Sequence, residues 1–231
     1  MRRWHRYELF GLHNLPVDRP ALLVGYHGRP IAHDMIMMLD VLHDELGYWA
    51  HPFFHATFNK SSVMQGFLDD MGFVTRDGEA VAEAVGRGEH IVVTPGGARE
   101  GLRPFWSQSE VNWGRRTGYL RVALKYDLPV VPIAGWGTDK AFLGLWNAYI
   151  LQKRLNFSLF PLWLGVGSIG IWPFGLPLPV RMASIIGQPI DLLADGPVDP
   201  NDKEALLRLH NKVIDSVQRL LDQRRPTRQH P

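Results

Sequence analysis

Residues 21–46 read ALLVGYHGRPIAHDMIMMLDVLHDEL, and this stretch decides the fold class. Ala21 to Tyr26 is continuously apolar, without the polar alternation of a strand that faces water, so it reads as a strand covered on both faces. The run stops at His27-Gly28. From Asp34 to Leu46 the apolar residues Met35, Met38, Leu39, Leu42 and Leu46 recur at helical spacing, which predicts a core-facing helix. The same alternation continues along the chain. GYWA (47–50) reads as a weak strand, 61–71 as a short helix, and GEAVAEAVGRG (78–88) as a helix closed by glycine. HIVVTP (90–95) is a strand, RRTGYLRVALKYD (115–127) a helix, LPVVPIAGWG (128–137) a strand and RMASIIGQPI (181–190) a late strand. A last helix over 199–223 takes Asp199 as N-cap and Pro200 as first residue, with Leu206, Leu209, Val213, Val217 and Leu220 on one face. Buried strands alternating with helices predict an α/β fold: a mainly parallel central sheet flanked by helices.

Composition agrees with a globular domain. The 231 residues are 45% hydrophobic and 21% charged, with a net charge of +2 and an isoelectric point near 9.0. They contain no repeat or linker that would divide them, so 1–231 is read as one domain. That mild charge, with no basic run interleaved with aromatics, argues against a nucleic-acid partner. The ends are locally basic, with Arg2, Arg3 and Arg6 in a lead-in over 1–20 and Arg224, Arg225 and Arg228 at the other end. They read as solvated tails, with a phospholipid-facing patch as the alternative. The absence of cysteine excludes disulfides, thiolate zinc sites and Cys nucleophiles. With no signal peptide at the start, the expected location is the cytoplasm or the cytoplasmic face of a membrane. Leu155 to Val180 carries no charge over 26 residues, yet Pro161, Pro173, Pro177 and Pro179 disfavour a regular spanning helix. It is expected to be buried core, or an apolar surface that meets a membrane or an acyl chain.

In parallel sheets ligands gather beyond the carboxyl ends of the strands. Three strands deliver unusual loops there: YHGRPIAHD (26–34), TPGGARE (94–100) and AGWGTDK (134–140). His27 is a candidate general base, because a neutral imidazole near a carboxylate suits proton transfer at neutral pH. Asp34 is the carboxylate nearest in sequence, but seven residues of continuous helix would part the two Cα atoms by roughly 10 Å, so a bend at His27 is required. Gly96 and Gly97 are expected to turn the backbone and expose amide donors for a phosphate or an oxyanion. Arg99 adds a permanent forked cation, and Arg76 in MGFVTRDG (71–78) is a further anion binder. The bland alternatives are a surface turn with an Arg99–Glu100 rim pair and a solvated Arg76.

Taken in order, YHGRPIAHD, MGFVTRDG, VTPGGAREG (93–101) and LPVVPIAG (128–135) resemble the four blocks of the lysophospholipid (glycerolipid) acyltransferase superfamily. PGGARE is most similar to the variant in its diacylglycerol acyltransferase and phytyl ester synthase branch. The late GQPI (187–190) also resembles an element that follows block four, and the likeness covers roughly residues 8–195. It implies that His27 deprotonates an acceptor hydroxyl, which attacks the thioester of an acyl-CoA or acyl-carrier protein. It also implies that Arg99 and the Gly96–Gly97 loop hold phosphate and oxyanion, that Arg76 assists acceptor binding, and that no metal or cofactor takes part beyond the thioester co-substrate. Two departures stand out. Six residues separate His27 from Asp34 where the family pattern has four, with His33 as the local alternative. Glycine occupies the family's Glu position at 96, while Glu100 lies beyond Arg99. The apolar anchor common before the first block is missing from these residues, so a peripheral membrane protein is expected.

The reading is therefore an O-acyltransferase acting on a lipid alcohol such as a lysophospholipid or diacylglycerol. A catalytically weak lipid-binding protein and a lipid-ester hydrolase on the same site are the alternatives. HPFFH (51–55) has a metal-like spacing, but Pro52 and the lack of a nearby acid argue against zinc. The chain has no G-x-S-x-G elbow, P-loop or dinucleotide glycine fingerprint.

Overall fold

The computed structural model describes residues 1–29, 32–53, 79–147, 150, 154, 165–168, 175–194 and 196–223. Eight strands are present among them: β1 Glu8–Phe10, β2 Leu22–Gly25, β3 His51–Pro52, β4 Ile91–Val93, β5 Val130–Trp136, β6 Leu143–Gly144, β7 Gly165–Val166 and β8 Ala183–Ile186. The α-helices are α1 Arg2–His5, α2 His33–Leu46, α3 Glu79–Gly86, α4 Ala98–Gly101, α5 Gly118–Lys125 and α6 Lys203–Asp222. Six strands form one sheet in the order β1-β8-β5-β2-β4-β3. β5, β2, β4 and β3 run parallel, and β8 pairs antiparallel with β5. β8 starts where β5 ends, with Gly137 packed against the carbonyl of Arg181, so it runs back along its neighbour. β1 follows β8 in parallel.

Period-two alternation sorts the strands into two cores. Leu22, Val24, Ile91, Val130 and Ala134 face Val81 and Ala84 of α3, Leu120 and Ala123 of α5, and Leu206, Val213 and Val217 of α6. Leu23, Val92, Val131, Ile133 and Ile186 face Met35, Met38, Leu39 and Leu42 of α2. The apolar strands of the central sheet are thus covered on both sides, as their unbroken hydrophobicity requires.

Three local expectations are corrected. The lead-in is folded: β1 joins the sheet, Trp4 Nε1 donates to the Pro177 carbonyl at 3.2 Å, and Arg2 pairs with Asp40 and Asp44 of α2 at 2.8 and 2.9 Å. Such exposed ion pairs stabilise little, so the backbone pairing of β1 is the main anchor. The weak strand lies not at 47–50 but at His51–Pro52, where the chain first meets β4 through His51 N–H to the His90 carbonyl at 2.8 Å. The last helix begins three residues later than expected. Asp202 is its N-cap and accepts from Glu204 and Ala205 N–H at 2.9 and 3.0 Å, while Asp199 closes the preceding turn onto Asn201 N–H. Buried His210 and Leu221 also belong to that helix's inner face, with Leu209 and Leu220 only partly covered.

The helix read over 61–71 and most of the uncharged 155–180 segment lie outside the described residues. Of that segment, β7 pairs with β6 as a two-stranded ribbon. Among the described residues no helix is long and apolar enough to cross a membrane.

Candidate active site

β5, β2 and β4 lie side by side and parallel, so their carboxyl ends open on one edge. From β2 the chain builds β3 and β4 on one flank and then returns to place β5 on the other. Strand order therefore reverses at β2, which is where open α/β sheets form a crevice. His27 stands in the loop leaving this central strand.

Glu100 joins the first loop to the second. Gly97, at φ 48° and ψ −137°, opens the short helix α4, whose turn carries Glu100 back beneath Gly96. One carboxylate oxygen of Glu100 accepts His27 N–H at 2.9 Å and the other accepts Asn112 N–H at 2.8 Å. A Cβ at residue 96 would collide with that carboxylate. The glycine at 96 and the acid at 100 are thus one arrangement: the later residue places a carboxylate where a residue-96 side chain would begin. The bland alternative, a rim pair of Glu100 with Arg99, is not what forms, because Glu100 is buried. Burial pushes its carboxyl up to about 7 against the pull of Arg103. Gly96→Ala should therefore displace Glu100, cost about 1–3 kcal/mol by overpacking and release His27 N–H. A denaturant titration and a rate measurement on the same variant check this, and an unshifted midpoint counts against the coupling.

The glycine turn serves the protein more than the expected ligand. Gly97 N–H donates to the Thr94 carbonyl at 3.1 Å, and Arg116 Nη1 donates to the carbonyls of Pro95 and Gly96 at 2.9 and 2.7 Å. The Gly97 amide is consumed by the turn itself and is not a spare donor.

Asp139, in the loop after β5, binds the remaining pieces. Its carboxylate accepts Arg29 N–H at 3.1 Å, Ser109 N–H at 2.9 Å, Arg103 Nη2 at 3.2 Å and the Tyr26 hydroxyl. Arg29, fully buried, donates its guanidinium to the Asp139 carbonyl. Arg103 Nη2 also donates to the His27 carbonyl at 2.9 Å, and its guanidinium stands 4.2 Å from the Tyr26 ring centroid. Burial pushes the Asp139 carboxyl upward, but Arg103 and Arg29 outweigh it and hold the group below its ordinary range. His27 is thereby clasped at its N–H by Glu100 and at its carbonyl by Arg103.

The imidazole is oriented by its own backbone. His27 Nδ1 lies 3.0 Å from the Gly28 carbonyl, which only accepts, so Nδ1 carries the proton and Nε2 keeps its lone pair. Burial, reinforced by Arg103, pushes the imidazole down to about 4.

The structure does not pair His27 with Asp34. Asp34 sits in the first turn of α2, behind Ala32 in left-handed conformation at φ 51°, and no hydrogen bond joins it to His27. Its carboxylate packs onto β5 at Gly135, where a Cβ would collide with it, and burial lifts it to about 7. The required bend does form, but it sends the two side chains to different neighbours. His33, the local alternative, faces His5 and Phe142 with ring centroids 6.5 and 6.1 Å away.

Arg99 faces a half-open cavity of about 610 Å³, together with Arg103, Ser107, Glu110, Asn112, Asn147, Ile150 and Arg154; His27 stands behind this wall, joined to it through Arg103. The Arg99 guanidinium rests against the backbone of Gly114. Arg76 lies outside the described residues, as does His55, while His51 Nε2 is 2.7 Å from Glu89. Among the described residues no group of three or more His, Asp or Glu is arranged to hold a metal ion.

Residues 50–229 match the family model described as diacylglycerol acyltransferase. The chain belongs to the diacylglycerol acyltransferase family. It is similar to proteins named "DGAT1/2-independent enzyme synthesizing storage lipids" from Gallus gallus (28% identity over 244 residues, 99% of this chain and 67% of the relative) and Homo sapiens (26% over 223 residues, 95% and 62%). An uncharacterized Mycobacterium tuberculosis protein is 25% identical over 230 residues, covering 95% of this chain and 62% of that protein. The chain therefore spans roughly three fifths to two thirds of the length of these relatives. Its fold is that of the 1-acyl-sn-glycerophosphate acyltransferase PlsC from Thermotoga maritima, with a TM-score of 0.53 at 16% identity over 95% of this chain and 74% of the other.

The sequence reading passed over several residues of this site. Asp139 lies inside AGWGTDK, a loop already flagged, but nothing local marks its carboxylate as the hub. Arg103 lines the same cavity as Arg99, but the helix that carries Arg99 ends at Gly101, so their four-residue spacing gave no helical signal. Tyr26 and Arg29 lie inside YHGRPIAHD, also a flagged loop, but nothing local marks their side chains, and Arg154 lies in none of the three.

Proposed function

We propose that this diacylglycerol acyltransferase family member is an O-acyltransferase that moves a fatty acyl group from an acyl-CoA or acyl-carrier protein to the hydroxyl of a lipid such as a lysophospholipid or diacylglycerol. The observation that carries it is a histidine with Nδ1 tied to the Gly28 carbonyl and its backbone clasped by Glu100 and by Arg103, the latter lining one cavity with Arg99. In this reading His27 Nε2 takes the proton of the acceptor hydroxyl, and that oxygen attacks the thioester carbonyl carbon. The tetrahedral oxyanion then collapses, the C–S bond breaks, and the leaving thiolate regains the proton from the imidazolium. No cofactor beyond the thioester is needed. Arg99 and Arg154 serve the phosphate of the donor or the acceptor, because a guanidinium fork matches phosphate oxygens. Arg76 keeps its sequence-based role as an acceptor binder. Asp34 is a positioning group at the start of α2, and the Gly28 carbonyl sets the His27 tautomer in its place.

Thiol release and product chromatography with a panel of acceptors test the reading. Ester formed only when a lipid alcohol is present supports transfer. Free fatty acid that no alcohol diverts identifies a hydrolase, and binding without thioester consumption identifies a lipid-binding protein. Because burial holds the imidazole near about 4, it is unprotonated at neutral pH. The acid limb of kcat/KM is expected at about pH 4, well below the ordinary histidine value of about 6.5, and a pH–rate profile reads this directly.

A further inference from the structure

The cavity that holds Arg99 opens among large apolar side chains exposed to solvent. Phe105 and Trp106 meet edge to face with centroids 5.2 Å apart; Trp106 is 64% exposed, and the next residue, Ser107, lines the cavity. A second set rises on the β6–β7 ribbon. Leu143 pairs across to Val166, both exposed, and exposed Leu145 and Trp146 continue to Asn147, again on the cavity wall. The ribbon begins directly after the loop of Asp139, so it grows from the same sheet edge as the His27 loop.

Single exposed apolar residues are ordinary, but a set sharing one rim marks a partner. The charges say which. Among the described residues lining the cavity inside this rim, Arg99, Arg103 and Arg154 outnumber the acid Glu110, and Lys140 and Arg181 are exposed at the foot of the ribbon. Apolar interior, indole-binding interface and phosphate follow one another within a bilayer, and this face presents groups for each of them in one place.

We propose that the rim formed by Phe105, Trp106 and the Leu143–Trp146 ribbon docks on an anionic phospholipid bilayer, with the arginine cavity opening into the headgroup layer. Its purpose rests on the acyltransferase reading, because docking would let a lipid alcohol reach His27 without crossing water. Its test does not.

The full chain is sedimented with vesicles of phosphatidylcholine alone and of phosphatidylcholine with about one third phosphatidylglycerol, without any acyl donor. The expected result is binding at least about tenfold tighter to the anionic vesicles, weakening with salt. The triple variant Trp106→Ser, Leu145→Ser, Trp146→Ser, its fold checked by circular dichroism, should lose about tenfold or more in vesicle affinity while transferring acyl groups to a water-soluble alcohol as before. Equal vesicle binding by wild type and variant overturns the proposal, as does indifference to lipid charge or a failure of the wild type to bind. So does a variant that instead converts a dimer to a monomer, which would make a second copy the occupant. A wild type that binds vesicles but transfers nothing overturns the acyltransferase reading and leaves the docking face standing.

Discussion

His27→Ala lowers kcat by about 10²- to 10⁴-fold, the range that general-base catalysis contributes, while the melting temperature stays close to that of the wild type. The separation of rate from stability follows from how the residue is held. Glu100 and Arg103 bind the backbone N–H and carbonyl of residue 27, and alanine keeps both. Only the imidazole and its bond to the Gly28 carbonyl disappear. Thiol release at saturating thioester, beside a thermal melt, measures the two effects independently. Near-wild-type turnover in a folded His27→Ala protein would remove the general base from the mechanism. Asp34→Asn is the useful contrast. Its carboxyl is already lifted to about 7 and packs on Gly135, so the amide imitates its protonated form and should cost far less in rate.

Asp139→Ala has the opposite signature, with a loss of about 3–5 kcal/mol of stability, because Arg29 and Arg103 remain buried without their carboxylate. In a chain of this size that lowers the melting temperature by about 6–20 °C. Urea unfolding with two probes gives the free-energy difference. Asp139→Asn keeps the side chain's volume and an acceptor for Arg29 N–H but not the charge, so it should fall between alanine and wild type. The pH dependence has a definite sign. A carboxyl whose folded pKa lies below its unfolded one stabilises fully above the unfolded value and loses that contribution as pH falls through the folded value. The gap between wild type and Asp139→Asn should therefore persist from neutral pH to about pH 4 and close below it. A loss under about 1 kcal/mol for the alanine variant would mean that Asp139 and its arginines do not form one buried unit.

Local pattern went far toward the fold because each strand is apolar on both faces and each helix on one. Leu22, Leu23 and Val24 have to be covered on both sides whatever surrounds them, which places helices above and below the sheet. The direction of β8 was not readable in this way. An apolar strand looks alike whether it runs with or against its neighbour, and only its start beside the end of β5 reverses it. The position of the last N-cap was also ambiguous, since Asp199 and Asp202 are chemically equal candidates. Their hydrogen bonds separate them.

For the site, sequence alone determined the three loops at the carboxyl ends of β2, β4 and β5, the histidine among them, and the arginine after the glycine pair. These follow from short-range facts: where apolar runs stop, and which residue types stand just beyond. Tertiary structure alone decided which carboxylates serve the histidine. Asp34, closest along the chain, packs toward β5, while Glu100 and Asp139 arrive from other strands to hold the His27 loop. The reason is the cost of burying charge. A carboxylate inside the protein persists only where N–H groups and guanidinium groups meet it, and those meeting points depend on strand order, not on distance along the chain.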